Sequence, residues 1–166
     1  MKKTSFIFVC VLLSVFCFSS VSYSESDMEL LLEYGEELTE TYGKSLDNMK
    51  TLLNIQREDG ISSVVGERLY YHFLSSNNTL SWVTDIIKMS MWIQKKYLLD
   101  YQNYVIIIIK SSQRGFKVDL RMLDKNYGYI NKASLLQIVD KRKDIIRSSL
   151  EILDKTLKLI KKMDKK

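Results

Sequence analysis

The chain contains no proline in 166 residues, and this absence constrains its fold more than any other feature. Proline ends helices and is common in tight turns, so a chain without it is free to form long helices. Glycine is also sparse, with six residues in the whole sequence. Together these counts favour long helices joined by short polar turns.

The clearest helical pattern lies in the last segment, residues 132–163, where apolar residues recur at alternating steps of three and four. Its main row consists of Leu136, Val139, Ile146, Leu150, Leu153, Leu157 and Ile160, with only Lys143 interrupting it. An adjacent row consists of Leu135, Ile138, Ile145, Ile152 and Leu159. The combined face is wider than a two-stranded coiled-coil seam, so it indicates a helix of a bundle core. Leu150 and Leu153, in the middle of the main row, are predicted core residues.

Three earlier segments show the same periodicity. The first begins at a capping box, Ser26–Glu29, and contains Gly35 and Gly43, which we interpret as sites of close helix contact. Its predicted core row consists of Leu31, Leu38, Tyr42, Leu46, Met49 and Leu53. A short second helix is predicted over 61–74, followed by a polar turn at 75–79. A long third helix is predicted through Val83, Ile87, Met91, Leu98, Tyr101, Val105 and Ile108, with Trp82 and Met89 on a second buried stripe.

Residues 104–122 fit two structures. The β-branched run from Val105 to Ile109 favours a strand, and the alternation of apolar and charged residues from Phe116 to Met122 is typical of a hairpin. A helical row competes with it: Phe116, Leu120, Leu123, Tyr127 and Ile130. We favour the helix, because the flanking segments are helical and a lone hairpin is only marginally stable.

The sequence therefore predicts an all-α fold, an antiparallel bundle of four helices, or five if 116–130 forms its own. A β-hairpin at 104–122 is the less favoured alternative. Residues 1–24 are predicted to be a secretory signal peptide, with a basic start, an apolar run and small residues before Glu25. Residues 25–166 are predicted to be one domain, exported to the periplasm or secreted. Both cysteines, Cys10 and Cys17, lie in the signal, so the mature chain would lack thiols.

Charge is distributed unevenly along the chain, whose formal net charge is +5 at pH 7. Residues 25–70 carry 11 acids and four bases, whereas residues 71–166 carry nine acids and 19 bases. The simpler interpretation is that the two halves attract each other when packed side by side. The alternative is a basic surface for an anionic partner.

Catalytic and cofactor signatures are weak. His72 is the only histidine and lies among aromatic residues, so it is interpreted as a partly buried structural residue rather than a base. The first segment carries five glutamates that are interpreted as a solvated face, although a carboxylate pair would suffice for a hydrolase. They are Glu29, Glu33, Glu36, Glu37 and Glu40. We predict no catalytic residue, no metal site and no cofactor.

The leading hypothesis is an exported, non-enzymatic bundle that binds a protein or envelope partner, of the immunity, inhibitor or adaptor type. Candidate partner-binding residues are Tyr97, Tyr101, Tyr104, Lys158, Lys161 and Lys162. The tyrosines combine apolar area with a hydroxyl group. The lysines support the alternative of an anionic membrane or polymer surface bound by the C-terminal helix. Nucleic acid is not expected, a homo-oligomer is left open, and a small hydrolase using carboxylates is the third hypothesis.

Overall fold

A computed structural model describes residues 25–59, 63–90, 98–130 and 132–163. It consists of four α-helices, and these residues contain no strand. The helices are α1 (Glu25–Asp59), α2 (Ser63–Ser90), α3 (Leu98–Tyr127) and α4 (Ala133–Met163). The predicted all-α bundle is confirmed. The predicted signal peptide, residues 1–24, lies outside the described residues.

The helices form an up-down-up-down bundle in which each packs against its neighbours in sequence and α4 closes the ring on α1. Hydrogen bonds show the antiparallel order, since Asn48 of α1 reaches Ile138 of α4, and Lys162 reaches back to Asp27. The helices α1 and α3 are diagonal to each other: within the described part of the chain no Cα atom of one lies within 8 Å of a Cα atom of the other. No helix there combines the length and apolarity that crossing a membrane requires.

Two predicted boundaries are wrong. The tract 75–79 is helical, so α2 runs unbroken from Ser63 to Ser90 where a turn was predicted. The predicted third helix, which ran through Val83 and Ile108, falls on two helices: α2 ends at Ser90, α3 begins at Leu98, and hydrogen bonds between them show that they run antiparallel. Residues 98–127 form one helix, which decides against both the hairpin and a separate fifth helix. The β-branched run therefore adopts the helical periodicity that its buried face requires.

The core lies along the bundle axis and matches the prediction best in α4, where Leu153 and Val139 are fully buried. In α1 the prediction is partly wrong: Leu46 and Leu53 are about 40% exposed. Their places on the inner face are taken by Ser45, Asn48 and Leu52. The inner face of α1 is thus polar at its middle, which no apolar pattern predicts.

Gly43 lies on the open side of α1 and does not mediate a helix contact, contrary to the sequence interpretation. A Cβ atom placed there would meet no atom within 4 Å. Because glycine costs roughly 0.5–1 kcal/mol in a helix relative to alanine, we expect Gly43→Ala to raise the free energy of unfolding by about that amount. Urea denaturation checks this. Gly66→Ala is the control and should gain less, since its Cβ would lie 2.7 Å from Nε2 of Gln56.

Candidate functional site: an exposed apolar strip and a basic ridge

Large apolar side chains are exposed on the outer flanks of α2 and α3. We call this set the apolar strip: Tyr71, Trp82, Met89, Tyr104, Ile107, Val118 and Met122. Trp82 is 59% exposed and Ile107 is 61% exposed, so neither is a core residue. The apolar pattern predicts that Trp82 and Met89 lie on a buried stripe, and this prediction is wrong. Helical periodicity places them about 60–80° from the contact line with α3, on the solvent side.

The strip follows the seam between the two helices in two groups, one around Trp82 and Ile107 and one around Tyr71 and Met122, with the small residues Thr79, Ser111 and Gly115 between them. The seam register is fixed by Tyr101, whose hydroxyl donates to the Ile86 carbonyl at 3.4 Å, and by Ser75, whose hydroxyl donates to Asp119 at 3.4 Å. This register sets Trp82 level with Ile107 and places Tyr71 near the level of Met122, while Met89 lies beyond Tyr104 toward the end of the bundle where α2 ends and α3 begins. The residues of the strip therefore succeed one another along one side of the bundle.

A shallow groove of about 240 Å³ opens beside Trp82. Its floor consists mostly of small residues. The two helices approach closely there, since a Cβ at Gly115 would lie 4.0 Å from Oγ1 of Thr79. The lining residues are Thr79, Trp82, Ile108, Ser111, Ser112 and Gly115. Small side chains in the seam, with large apolar ones around it, leave room for another chain to approach the helix backbones.

A row of cations borders the strip on α3. We call it the basic ridge: Lys110, Arg114, Lys117, Arg121 and Lys125. Steps of four, three, four and four place all five on one exposed face. Within the described residues none of them forms a salt bridge, and the Arg114 and Arg121 side chains instead donate to carbonyls of their own helix. The ridge is therefore an uncompensated band of positive charge.

The acidic helix α1 does not neutralise this ridge, because α1 lies diagonally across the bundle from α3. Its acids pair instead with α4, where Lys162 lies 2.8 Å from Asp27 and Lys155 lies 4.0 Å from Glu37. Attraction between the acidic and basic halves thus operates between α1 and α4. The cations of α3 remain available to an external anion.

His72 and Asp119 lie at the seam beneath the strip. Nδ1 of His72 is 3.5 Å from Oδ1 of Asp119. Burial raises the pKa of the Asp119 carboxyl, while His72, the Ser75 hydroxyl and Arg142 act in the opposite direction. His72 is half-buried, as predicted, and its contact with Asp119 joins α2 to α3.

A second polar cluster lies at the centre of the bundle around Arg142, which is fully buried. Its Nε donates to Oδ1 of Asn48 at 2.9 Å, and its Nη1 donates to Oδ1 of Asn77 at 2.8 Å. Nη1 also donates to the Ser45 hydroxyl, and Nη2 donates to the Ser45 carbonyl at 2.7 Å. The guanidinium lies 4.2 Å from the centre of the Phe73 ring. This network ties α4 to both α1 and α2.

The Arg142 guanidinium forms no salt bridge within the described part of the chain; its partners are neutral oxygens. Burial lowers its pKa to about 9, and the Asp119 carboxylate acts in the opposite direction. The group therefore stays protonated at neutral pH and holds a positive charge inside the bundle. The cluster is closed to solvent, so its effect is on stability and packing rather than on a ligand.

The predicted partner-binding residues that the structure describes differ in their exposure and pairing. Tyr97 lies outside the described residues. Tyr104 is 42% exposed and belongs to the apolar strip, whereas Tyr101 is half-buried at the seam and burial raises its pKa. Lys158 and Lys161 are exposed on α4, but Lys162 is held by Asp27.

The glutamates that supported the hydrolase hypothesis are spread along α1. Glu29, Glu33, Glu36 and Glu40 are exposed, and Glu40 is paired at 2.8 Å with Lys44, which lowers the pKa of its carboxyl. Among the described residues no group of three or more histidine, cysteine or acidic side chains is placed to hold a metal ion.

The strip and the ridge carried sequence signals that were misassigned. The side of α2 that carries Trp82 also carries the polar residues Ser75, Asn78 and Asp85. Polar neighbours on the same helix face indicate that the face is exposed. The ridge was concealed by the alternation from Phe116 to Met122, which resembles a strand until the bases are counted at helical spacing. Comparison of the chain with protein-family models, curated proteins and solved structures finds no match.

Proposed function

We propose that this protein is an exported, non-enzymatic binding protein that engages a protein partner through the apolar strip. The observation that carries the proposal is the alignment of seven large exposed apolar side chains along the seam of α2 and α3. Groups of large exposed apolar side chains on one flank are uncommon on monomeric soluble proteins and mark interaction sites. Export is supported by the signal-like residues 1–24 alone.

The composition of the strip supports a protein partner. Tryptophan, tyrosine and methionine are enriched at protein interfaces, and a few such anchors carry most of the binding energy. Trp82 lies at the middle of the strip, beside the groove, where an anchor residue contributes most. The C-terminal lysines support a partner surface less well, because Lys162 is already paired with Asp27.

Site-specific photo-crosslinking in the native host tests this proposal. Benzoylphenylalanine replaces Trp82 in one variant and Ile107 in another, and the controls carry it at Leu46 and Leu53, apolar positions on α1 that are about 40% exposed. We expect both strip positions to give the same protein adduct. Its yield should fall at least fivefold when Met89 and Tyr104 are both replaced by serine.

Two results would contradict the proposal. The first is adducts of equal yield from the control positions on α1, which would indicate nonspecific contact. The second is an adduct with the mass of a phospholipid at both strip positions, which would favour the membrane-surface alternative. The absence of any adduct at the strip would also count against a stable partner there.

A further inference from the structure

We infer that the partner presents an acidic amphipathic helix, which lies along the apolar strip with its acids facing the basic ridge. This inference rests on the proposed function and adds the chemical class of the partner. It is drawn from three features of the described residues: the length of the strip, the groove at the seam and the charge beside it.

The strip has the dimensions of a helix-binding surface. From Tyr104 to Met122 it extends along 18 residues of α3, or about 27 Å, which five turns of a bound helix would cover. Helices pack by placing the side-chain ridges of one into the grooves of another. The groove beside Trp82, with Thr79, Ser111 and Gly115 in its lining, offers such a place between two antiparallel helices. A bound helix would therefore be the fifth of the bundle.

Other modes of docking fit this surface less well. The backbone groups of α2 and α3 are used within the helices, so no edge is present to which a strand could add. A flat bilayer would contact Ile107 and Val118 at the crest of α3 but would leave the groove empty. A symmetric dimer through the strip would bring two basic ridges to one interface, and their like charges would repel.

The charge of the partner follows from the basic ridge. Its five cations form no salt bridge within the described residues and lie along one side of the strip only, so a bound helix would meet them on one flank. A row of glutamates or aspartates on that flank would gain favourable Coulomb energy, whereas lysines would be repelled. An asymmetric arrangement of this kind would also fix the orientation of the bound helix.

Three synthetic 21-residue peptides provide the test. They share one apolar face of leucine and isoleucine, and their polar faces carry glutamate, glutamine or lysine. Binding of each labelled peptide to the intact protein is measured by fluorescence anisotropy at about 0.15 M salt, where charges beyond about 8 Å are largely screened. We expect the acidic peptide to bind at least tenfold more tightly than the neutral one, and the basic peptide to bind most weakly.

Charge-reversal variants locate the interaction. Arg114→Glu with Arg121→Glu reverses two bases of the ridge, and Lys158→Glu with Lys161→Glu makes the same change in net charge on α4. The ridge variant should bind the acidic peptide at least tenfold more weakly and the basic peptide more tightly. The α4 variant should change either affinity less than twofold. All four substituted side chains are exposed, so circular dichroism should show both variants folded.

Each other outcome overturns the inference. Equal binding of the three peptides would show an apolar surface without charge selection. An equal effect of the two variants would show attraction to net charge rather than to the ridge. Binding to phosphatidylglycerol vesicles with no peptide binding below about 100 µM would assign the surface to a membrane. A shared protein adduct in the crosslinking experiment would still stand in the first two cases, so failure of the inference and failure of the proposed function are distinguishable.

Discussion

Replacement of Arg142 by methionine is expected to lower the free energy of unfolding by about 3–5 kcal/mol. The side chain is fully buried and donates to Ser45, Asn48 and Asn77. Methionine fills much of the same space but donates no hydrogen bond. The acceptor oxygens of Ser45, Asn48 and Asn77 would therefore stay buried without the donor that Arg142 provides. Each buried oxygen left without a donor costs about 1–3 kcal/mol, and loss of the buried guanidinium charge offsets part of that sum.

Arg142→Lys should recover less than half of that loss. An ammonium group cannot reproduce the planar fork that reaches Asn48, Asn77 and Ser45 at once. Arg147→Met is the control, since Arg147 is exposed and, among the described residues, its one ion pair is with Asp144; its expected cost is within about 0.5 kcal/mol. Chemical denaturation measures all three variants. A cost below about 1 kcal/mol for Arg142→Met would mean that the buried oxygens find other donors.

Leu153→Ala should cost about 3 kcal/mol and Leu150→Ala about 1 kcal/mol. The sequence treats these residues alike, as neighbours on one row, but in the structure Leu153 is fully buried while Leu150 is half-buried beside the core. Truncating a buried leucine loses its transfer free energy and leaves a cavity, whereas a site open to solvent leaves no closed cavity. Equal losses at the two positions, measured by thermal and urea denaturation, would contradict this difference in burial.

The fold was predictable where the apolar pattern alone determines burial. In α4 the two apolar rows specify which face is inward, and the structure buries Val139, Ile146 and Leu153 accordingly. The all-α fold followed from the same periodicity and from the absence of proline. Local strand propensity at 105–109 was overridden because the helix places Val105, Ile108 and Ile109 together on the buried face.

The predicted helix boundaries and inner faces are wrong where polar residues belong to the core. Ser75 to Thr79 has the composition of a turn, yet Ser76 and Asn77 point inward toward Arg142. Likewise, Ser45 and Asn48 occupy the inner face of α1 in place of the predicted Leu46. Arg142 itself falls in a gap between Ile138 and Ile145 of an apolar row. The polar residues at 75–79 and the buried Arg142 form hydrogen bonds with each other across two helices. This pairing becomes visible only when α2 and α4 are placed side by side.

The candidate binding surface was less predictable than the fold. Tyr104 was singled out from the sequence and does belong to the apolar strip, but Trp82 and Met89 were assigned to the core. An amphipathic pattern distinguishes apolar from polar faces, and it cannot separate a face covered by the same chain from one left for a partner. The lysines of α4 are crowded together in the sequence and were therefore proposed as a binding surface. The lysines of α3 are spread at helical spacing, so their common exposed face is harder to recognise from the sequence.

The polar layer around Arg142 also determines how the helices can slide past one another. The apolar rows of α4 repeat every seven residues, as Val139, Ile146, Leu153 and Ile160 show, so a shift of two turns, about 10.5 Å, would still place apolar side chains against apolar neighbours. That shift would remove the guanidinium from Asn48 and Asn77 and put the hydroxyl of Ser149 in its place. A single buried polar residue is known to select one register among near-equivalent packings. If leucines replaced the polar residues around Arg142, α4 would have several registers of similar energy along the bundle axis.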